Sequence, residues 1–272
     1  MQKKPFLDKV VIVTGSGSGI GKATAQAIGQ QGAWVVINGR NQEKLKLAED
    51  SLRSDGIEVF AVAADVASVA GAQHLVKATL AQYGKIDILI NNAGMSSRGY
   101  FEALSPVVIE DMLRINVLGS LYPTRTALSA LKESQGSVVF VSSVAGIRGL
   151  PETSLYCASK MALTSVAESL RVELWEDQIH VGIIYVGITR NDPGKQVIDA
   201  DGSHITLQQR DQQRAQSPEE VAQAILTLIE KRKFKTTLTL LGKINRWANV
   251  LFPRIVDKLL VRSKERIARM NR

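Results

Sequence analysis

Val10-Val11-Ile12-Val13-Thr14-Gly15-Ser16-Gly17-Ser18-Gly19-Ile20-Gly21 decides how this chain folds. The first four residues are an unbroken β-branched run, the composition of a buried strand, and from Gly15 to Gly21 every second residue is glycine. Residues 22–31 then read as a helix that Gly32 closes. A strand, a glycine loop and a helix let the backbone turn tightly, approach a pyrophosphate and offer it a helix N-terminus. Gly15, Ser16, Ser18, Gly19, Ile20 and Gly21 are the candidate contacts. A plain connector has the same loop composition; the strand before it and the helix after it favour the nucleotide.

The pattern repeats outward. Strands are expected at 34–38, 57–63, 86–90, 137–141, 180–185 and 236–241, separated by helices at 42–54, 69–82, 105–131, 156–170 and 218–231. Such alternation predicts an α/β fold, a doubly wound parallel sheet of about seven strands in one domain over residues 1–241. Ligands gather at the carboxyl ends of such strands. Those ends carry Arg40, Asp65 with Val66, Asn91-Asn92-Ala93-Gly94, Ser142-Ser143 and Val186-Gly187. Where an acidic side chain would bind a ribose 2′-hydroxyl, Gly39 is followed by Arg40, and a guanidinium suits a 2′-phosphate, so NADP(H) is expected over NAD(H). Asn116 lies among Ile115, Val117 and Leu118, where its amide needs partners, as a structural bridge or as part of a site. Ser142 and Ser143 either orient a ligand or cap a turn. Tyr156 and Lys160, four apart on a helix, share a face, and a fixed ammonium beside a phenol favours the phenolate: a candidate acid/base pair.

Composition removes several classes of function. The net charge of +8 is a property of the tail: from Lys231 onward thirteen Lys and Arg stand against Asp257 and Glu265, leaving residues 1–230 slightly acidic. No aromatic stacking platform accompanies that charge, so nucleic acid is not expected. Cys157 is the only cysteine and the three histidines are scattered, which predicts no disulfide and no metal site. Residues 1–8 lack the apolar core of a signal peptide, and no uncharged apolar run of spanning length occurs, so a cytoplasmic protein is expected.

Thr14-Gly15-x-x-x-Gly19-x-Gly21, the Asn91-Asn92-Ala93-Gly94 run, Asn116, Ser143 and Tyr156-x-x-x-Lys160 resemble, in type, order and spacing, the short-chain dehydrogenase/reductases, over roughly residues 6–241. The resemblance implies a single Rossmann-type domain, a nicotinamide cofactor and a catalytic tetrad. Carried over position by position, Tyr156 is the general acid/base, Lys160 lowers its pKa and holds the nicotinamide ribose, Ser143 polarises the carbonyl, and Asn116 anchors a water of the proton relay. Ser143 is chosen over Ser142 because the family's serine lies thirteen residues before its tyrosine. The same resemblance places Asp65 at the adenine amino group, with Val66 beside it, and Asn92, Ala93 and Gly94 along the cofactor. It further implies a small-molecule carbonyl or alcohol substrate and a homodimer or homotetramer. The chain departs from the family after the sixth strand, where Val186-Gly187 replaces Pro-Gly and either Thr189 or Asn191 is left to meet the carboxamide. The glycine loop also lacks the basic residue of many NADP-preferring members and carries Ser16 and Ser18 instead.

The activity expected is an NADP(H)-dependent interconversion of a ketone and a secondary alcohol. The rival from another class is a non-catalytic dinucleotide sensor or scaffold. Residues 188–216, polar and without a clear period, are expected to form a substrate lid with no regular structure. In residues 242–272, Ile244, Trp247, Leu251, Ile255 and Leu259 recur at helical spacing among Lys and Arg, predicting two short amphipathic helices broken at Pro253. That pattern fits a peripheral membrane contact through residues 243–272, with a lipophilic ketone as a natural substrate, and equally a helix packed on the body or on a second subunit.

Overall fold

The computed structural model describes residues 4–207 and 215–271, the side chains at 240–241, 245–246 and 264–271 excepted. Strand β1 (Val10–Val13) is wholly buried, and the two-residue pleat divides it between two cores. Val11 and Val13 face one layer, and Val10 and Ile12 face the other. The first layer packs against α1 (Gly19–Gly29) and α2 (Gln42–Ser54), through Ala25, Ile28, Leu45 and Leu52. The second receives Leu75 of α3 (Val69–Tyr83), Leu131 of α5 (Gly119–Glu133) and Leu163 of α6 (Ser154–Glu173). A strand buried on both faces has no polar side to show, which is why the sequence reads as continuous apolar runs rather than alternation.

The other strands are β2 (Trp34–Gly39), β3 (Val59–Ala63), β4 (Ile88–Asn91), β5 (Ser137–Ser143) and β6 (His180–Val186). With β9 (Lys235–Thr237) they form a seven-stranded sheet in the order β3-β2-β1-β4-β5-β6-β9, every pair parallel. The order reverses between β1 and β4, the switch point where such sheets open a crevice. The glycine loop leaves β1, and Asn91 to Gly94 leave β4, on either side of it. Helix α7 (Pro218–Glu230) returns to the first layer through Val221 and Ile225.

Three expectations need correction. Residues 188–216 are not without regular structure: β7 (Gln196–Ile198) and β8 (His204–Thr206) form an antiparallel hairpin, and Thr189 bridges Gln216. Val197 and Ile198 are buried, so two apolar side chains in a polar stretch suffice to seat it; residues 208–214 lie outside the described part. The last strand does not run over 236–241. It stops at Thr237 because the Thr239 hydroxyl accepts from the Gly242 amide and starts α8 (Leu240–Leu251). The helix expected at 105–131 is interrupted. α4 (Pro106–Leu113) passes through a single π turn at Arg114–Leu118 before α5 begins, and Asn116 sits in that turn. After α8, α9 (Pro253–Asn271) follows the break expected at Pro253 but is longer than a short helix.

Candidate active site

The glycine loop is fixed by its neighbours. The Thr14 hydroxyl accepts from the Asn92 and Ala93 amides at 3.0 Å each, and the Asn92 side chain donates to the carbonyls of Thr14 and Gly15 at 2.9 and 3.0 Å. Thr14, quoted in the motif but assigned no role, therefore locks the loop after β1 to the loop after β4. Gly15 has φ +64°, and a Cβ there would lie 2.7 Å from the Ala93 Cα; one on Gly21 would lie 2.4 Å from the Gly15 carbonyl oxygen. No larger residue fits this close passage of backbone. Ser16 points inward, donating to the Val13 carbonyl at 2.6 Å and accepting from the Asn38 amide at 2.9 Å, so its side chain shapes the loop. Ser18 is exposed at the N-cap of α1 and makes no side-chain cap bond, and the first turn holds no acidic residue. A carboxylate from another segment approaches it: a Cβ on Gly19 would lie 3.3 Å from the Asp192 Oδ2, so the positive end of α1 already attracts an anion.

Beside that helix end a cleft of about 590 Å³ is lined by Gly15, Gly17, Ser18, Gly39, Arg40, Asn41 and Lys44. Lys44 was missed in the sequence. Asn41 caps α2 by accepting from the Lys44 amide at 2.8 Å, which places Lys44 in the first turn next to Arg40; the Asn cap just after Arg40 was the available signal. On the far side, Asp65 accepts from the Ala67 amide at 3.0 Å and pairs with Arg114 at 3.1 Å, while Val66 is buried beneath it.

The tetrad candidates converge at the ends of β4 and β5. Asn116 is fully buried; its oxygen accepts from the Met95 amide at 2.7 Å, and its nitrogen donates to the Met95 carbonyl and to the Ser159 hydroxyl, both at 2.9 Å. Ser159 in turn donates to the Tyr156 carbonyl at 2.8 Å. Asn116 thus joins the β4 loop to the first turn of α6, and the π turn frees its amide for that task. A Cβ on Gly94 would come within 3.1 Å of the Asn116 Oδ1 and 3.4 Å of the Lys160 ammonium nitrogen, so all three meet there. Lys160 donates to the Val141 carbonyl at 2.9 Å and lies 5.9 Å from the centre of the Tyr156 ring. Burial pushes its pKa down to about 8, with Lys195 adding a smaller push in the same direction. Among the described residues no carboxylate pairs with it.

The two serines separate cleanly. Ser142 is buried and donates to the Lys160 carbonyl at 3.1 Å, holding α6 to β5. Ser143 is half-buried and its oxygen accepts from the Ala145 amide at 3.2 Å, leaving its proton to point elsewhere. After β6, the Gly187 amide donates to the Gln216 side chain at 3.3 Å, and Thr189 is buried with its hydroxyl donating to the Gly187 carbonyl at 3.3 Å. A third apolar cluster, of Leu104, Val108, Met112, Leu155 and Ile198, packs against Met95, Ala200 and Tyr156. No signal for it was read in the sequence, because its members come from four separated segments.

The short chain dehydrogenase family model matches residues 9–202, most of the chain. The chain belongs to the short-chain dehydrogenase family. It is 36% identical over 187 residues to the 11-beta-hydroxysteroid dehydrogenase-like 4A of Arabidopsis thaliana, a match covering 67% of this chain and 62% of that protein. With the uncharacterized oxidoreductase YxnA of Bacillus subtilis it shares 32% over 270 residues, 96% of this chain and 73% of the relative. With the 3-ketodihydrosphingosine reductase of Bos taurus it shares 38% over 181 residues, 64% and 54% of the two chains. The matches thus span 62%, 73% and 54% of those relatives' own lengths. Among solved structures, a short-chain dehydrogenase/reductase of Burkholderia phymatum in complex with NAD superposes with a TM-score of 0.75 at 26% identity, covering 87% of this chain and 90% of that one. Among the described residues no helix is long and apolar enough to cross a membrane.

Proposed function

We propose that this protein is an NADP(H)-dependent oxidoreductase that interconverts a ketone and a secondary alcohol, working as a reductase of a lipophilic carbonyl compound. The observation that carries the reading is the buried Lys160 ammonium, one helical turn from Tyr156 and, among the described residues, without a carboxylate partner. A charge buried without a counter-ion is a standing cost, and a phenol that must cycle between acid and base is a reason to keep it.

The cofactor fits the residues present. The first turn of α1, with no acidic residue of its own, suits a pyrophosphate in place of the Asp192 carboxylate, and Arg40 and Lys44 suit a 2′-phosphate, with Asp65 and Val66 toward the adenine, Asn92, Ala93 and Gly94 along the middle, and Thr189 or Asn191 toward the carboxamide. When bound, the dihydronicotinamide supplies the hydride. Ser143 donates a hydrogen bond to the carbonyl oxygen, and Tyr156 delivers the proton to it as the carbon is reduced. Lys160 stabilises the phenolate that remains, and Asn116 keeps the loop and helix in register while its neighbourhood returns a proton from water. The Met95, Ile198 and Leu155 cluster against Tyr156 supports an apolar substrate, and the names of the hydroxysteroid dehydrogenase-like and ketodihydrosphingosine reductase relatives point to the same chemistry. A homodimer or homotetramer accompanies the reading, as the family resemblance implies. A dinucleotide sensor would need Lys160 for the ribose alone and would have no use for the Tyr156 phenol beside it.

Tyr156→Phe tests it directly. Turnover of NADPH with a panel of sugar, steroid and long-chain 3-keto substrates should fall about a thousandfold, while NADPH binding followed by fluorescence changes less than about twofold. Wild-type turnover in the variant removes the assignment.

A further inference from the structure

The tail helices present several large apolar residues to solvent alongside their lysines and arginines. Ile244, Trp247 and Leu251, at helical spacing on one face of α8, are 55%, 67% and 60% exposed, and Phe252 beyond them is 56% exposed. The body-facing side of α8 carries Asn249, which accepts from Arg148, and Gly242, which packs on Val144. On α9, Ile255 and Leu259 are each 57% exposed, while Val256 and Leu260 are half-buried. Interleaved with them are the exposed Lys243, Arg254, Lys258 and Arg262. Asp257, the acidic residue among the described side chains of the two helices, is held by Arg148.

We propose that α8 and α9 dock on an anionic lipid surface, and that Arg148 fixes the orientation so that the sheet edge carrying Ser143 faces the bilayer. Charge decides between the occupants of this face. A second copy would bring two sets of Lys and Arg together, whereas anionic headgroups complement them and the acyl boundary takes up Trp247, Leu251 and Phe252. Arg148 lies five residues after Ser143, on the loop that leaves β5, and its guanidinium reaches both helices. The docking surface is thus tied to the substrate edge of the sheet. The inference rests on the proposed reductase only for the direction from which substrate arrives.

The full-length protein, sedimented with vesicles of phosphatidylcholine with and without phosphatidylserine, should pellet only with the anionic vesicles and be released by salt. Trp247→Ser and Lys258→Glu should each weaken that binding about tenfold or more while leaving reduction of a water-soluble ketone unchanged. Arg148→Ala should bind vesicles as the wild type does and lose the rate gain that vesicles give toward a ketone dissolved in them. Tyr156→Phe should pellet normally, so a failed reductase assignment and a failed docking surface give different results. The docking is overturned by equal recovery without anionic lipid, by indifference to both tail substitutions, or by a concentration-dependent oligomer that Trp247→Ser dissolves. The orientation is overturned if Arg148→Ala keeps the full rate gain.

Discussion

Helices α1 and α7 both begin on a serine, and they begin differently. At Ser217 the hydroxyl accepts from the Glu220 amide at 3.0 Å, the Glu220 carboxylate accepts from the Ser217 amide at 2.7 Å, and Pro218 takes the first position. The end is closed by its own residues. At Ser18 there is no side-chain cap and no acidic first turn. The same contrast holds for buried charge. Asp87 lies at the amino edge of the sheet, 4% exposed, and is met by Lys9 at 2.8 Å, Lys85 at 3.2 Å and the Val10 amide at 2.9 Å. Lys160, at the carboxyl edge and 6% exposed, holds one carbonyl and no carboxylate among the described residues. Where the fold has only to be stable its polar groups are matched; where a ligand is expected they are left open.

Removing the open charge should have the largest effect. Lys160→Met should lower turnover about a hundredfold or more, since the ammonium that favours the phenolate is gone. Stability should move the other way. The wild-type lysine titrates at 10.5 when unfolded and at about 8 when folded, so between those values the unfolded chain binds more protons and stability rises with pH. Urea titrations at pH 7 and pH 9.5 should show a rise in the wild type that shrinks in Lys160→Met. A variant that loses stability at pH 7 would mean the ammonium serves the fold.

Asp87→Asn should do the reverse, with turnover unchanged and stability at pH 7 lower by about 1–3 kcal/mol. Burial alone would raise the Asp87 pKa; hydrogen bonds from Lys9, the Val10 amide and Lys85 outweigh it and hold the carboxyl below its ordinary range. A depressed carboxylate stabilises the fold above its unfolded pKa and stops doing so as pH falls through the folded one. The difference between wild type and variant should therefore shrink as pH falls through the depressed pKa of the folded carboxyl. Persistence of the full difference in acid would place it in packing instead.

The cofactor edge gives a smaller effect. Arg40→Asp should shift the ratio of NADPH to NADH efficiencies about tenfold toward NADH, and Lys44→Glu should move it the same way by less. An unchanged ratio in the double variant removes the basis for the 2′-phosphate reading.

What the sequence made legible follows from the same contrast. Glycine spacing, β-branched runs and the Tyr156–Lys160 step are local, so the parallel sheet, the glycine loop and the proximity of Tyr156 to Lys160 could be read directly. Asn116 was singled out correctly as an amide in need of partners, but those partners, Met95 and Ser159, lie 21 and 43 residues away and only the fold brings them near. Ser142 and Ser143 were told apart by family spacing, whereas the physical difference, one hydroxyl donating to the Lys160 carbonyl and one accepting from the Ala145 amide, needed the packing of α6 on β5. The β7–β8 hairpin was missed because its alternation is only three residues long in each strand, too short to rise above a polar background.

The two serines close the comparison with the smallest effects. Ser217→Ala should lower stability by about 1 kcal/mol, because it removes half of a capping box whose partners both belong to its own helix. Ser18→Ala removes no cap bond, so its melting temperature should stay within about a degree of wild type while NADPH binding weakens about twofold to fivefold. Matching losses of stability in the two variants would show that Ser18 caps α1 after all, and that its hydroxyl serves the helix rather than a phosphate.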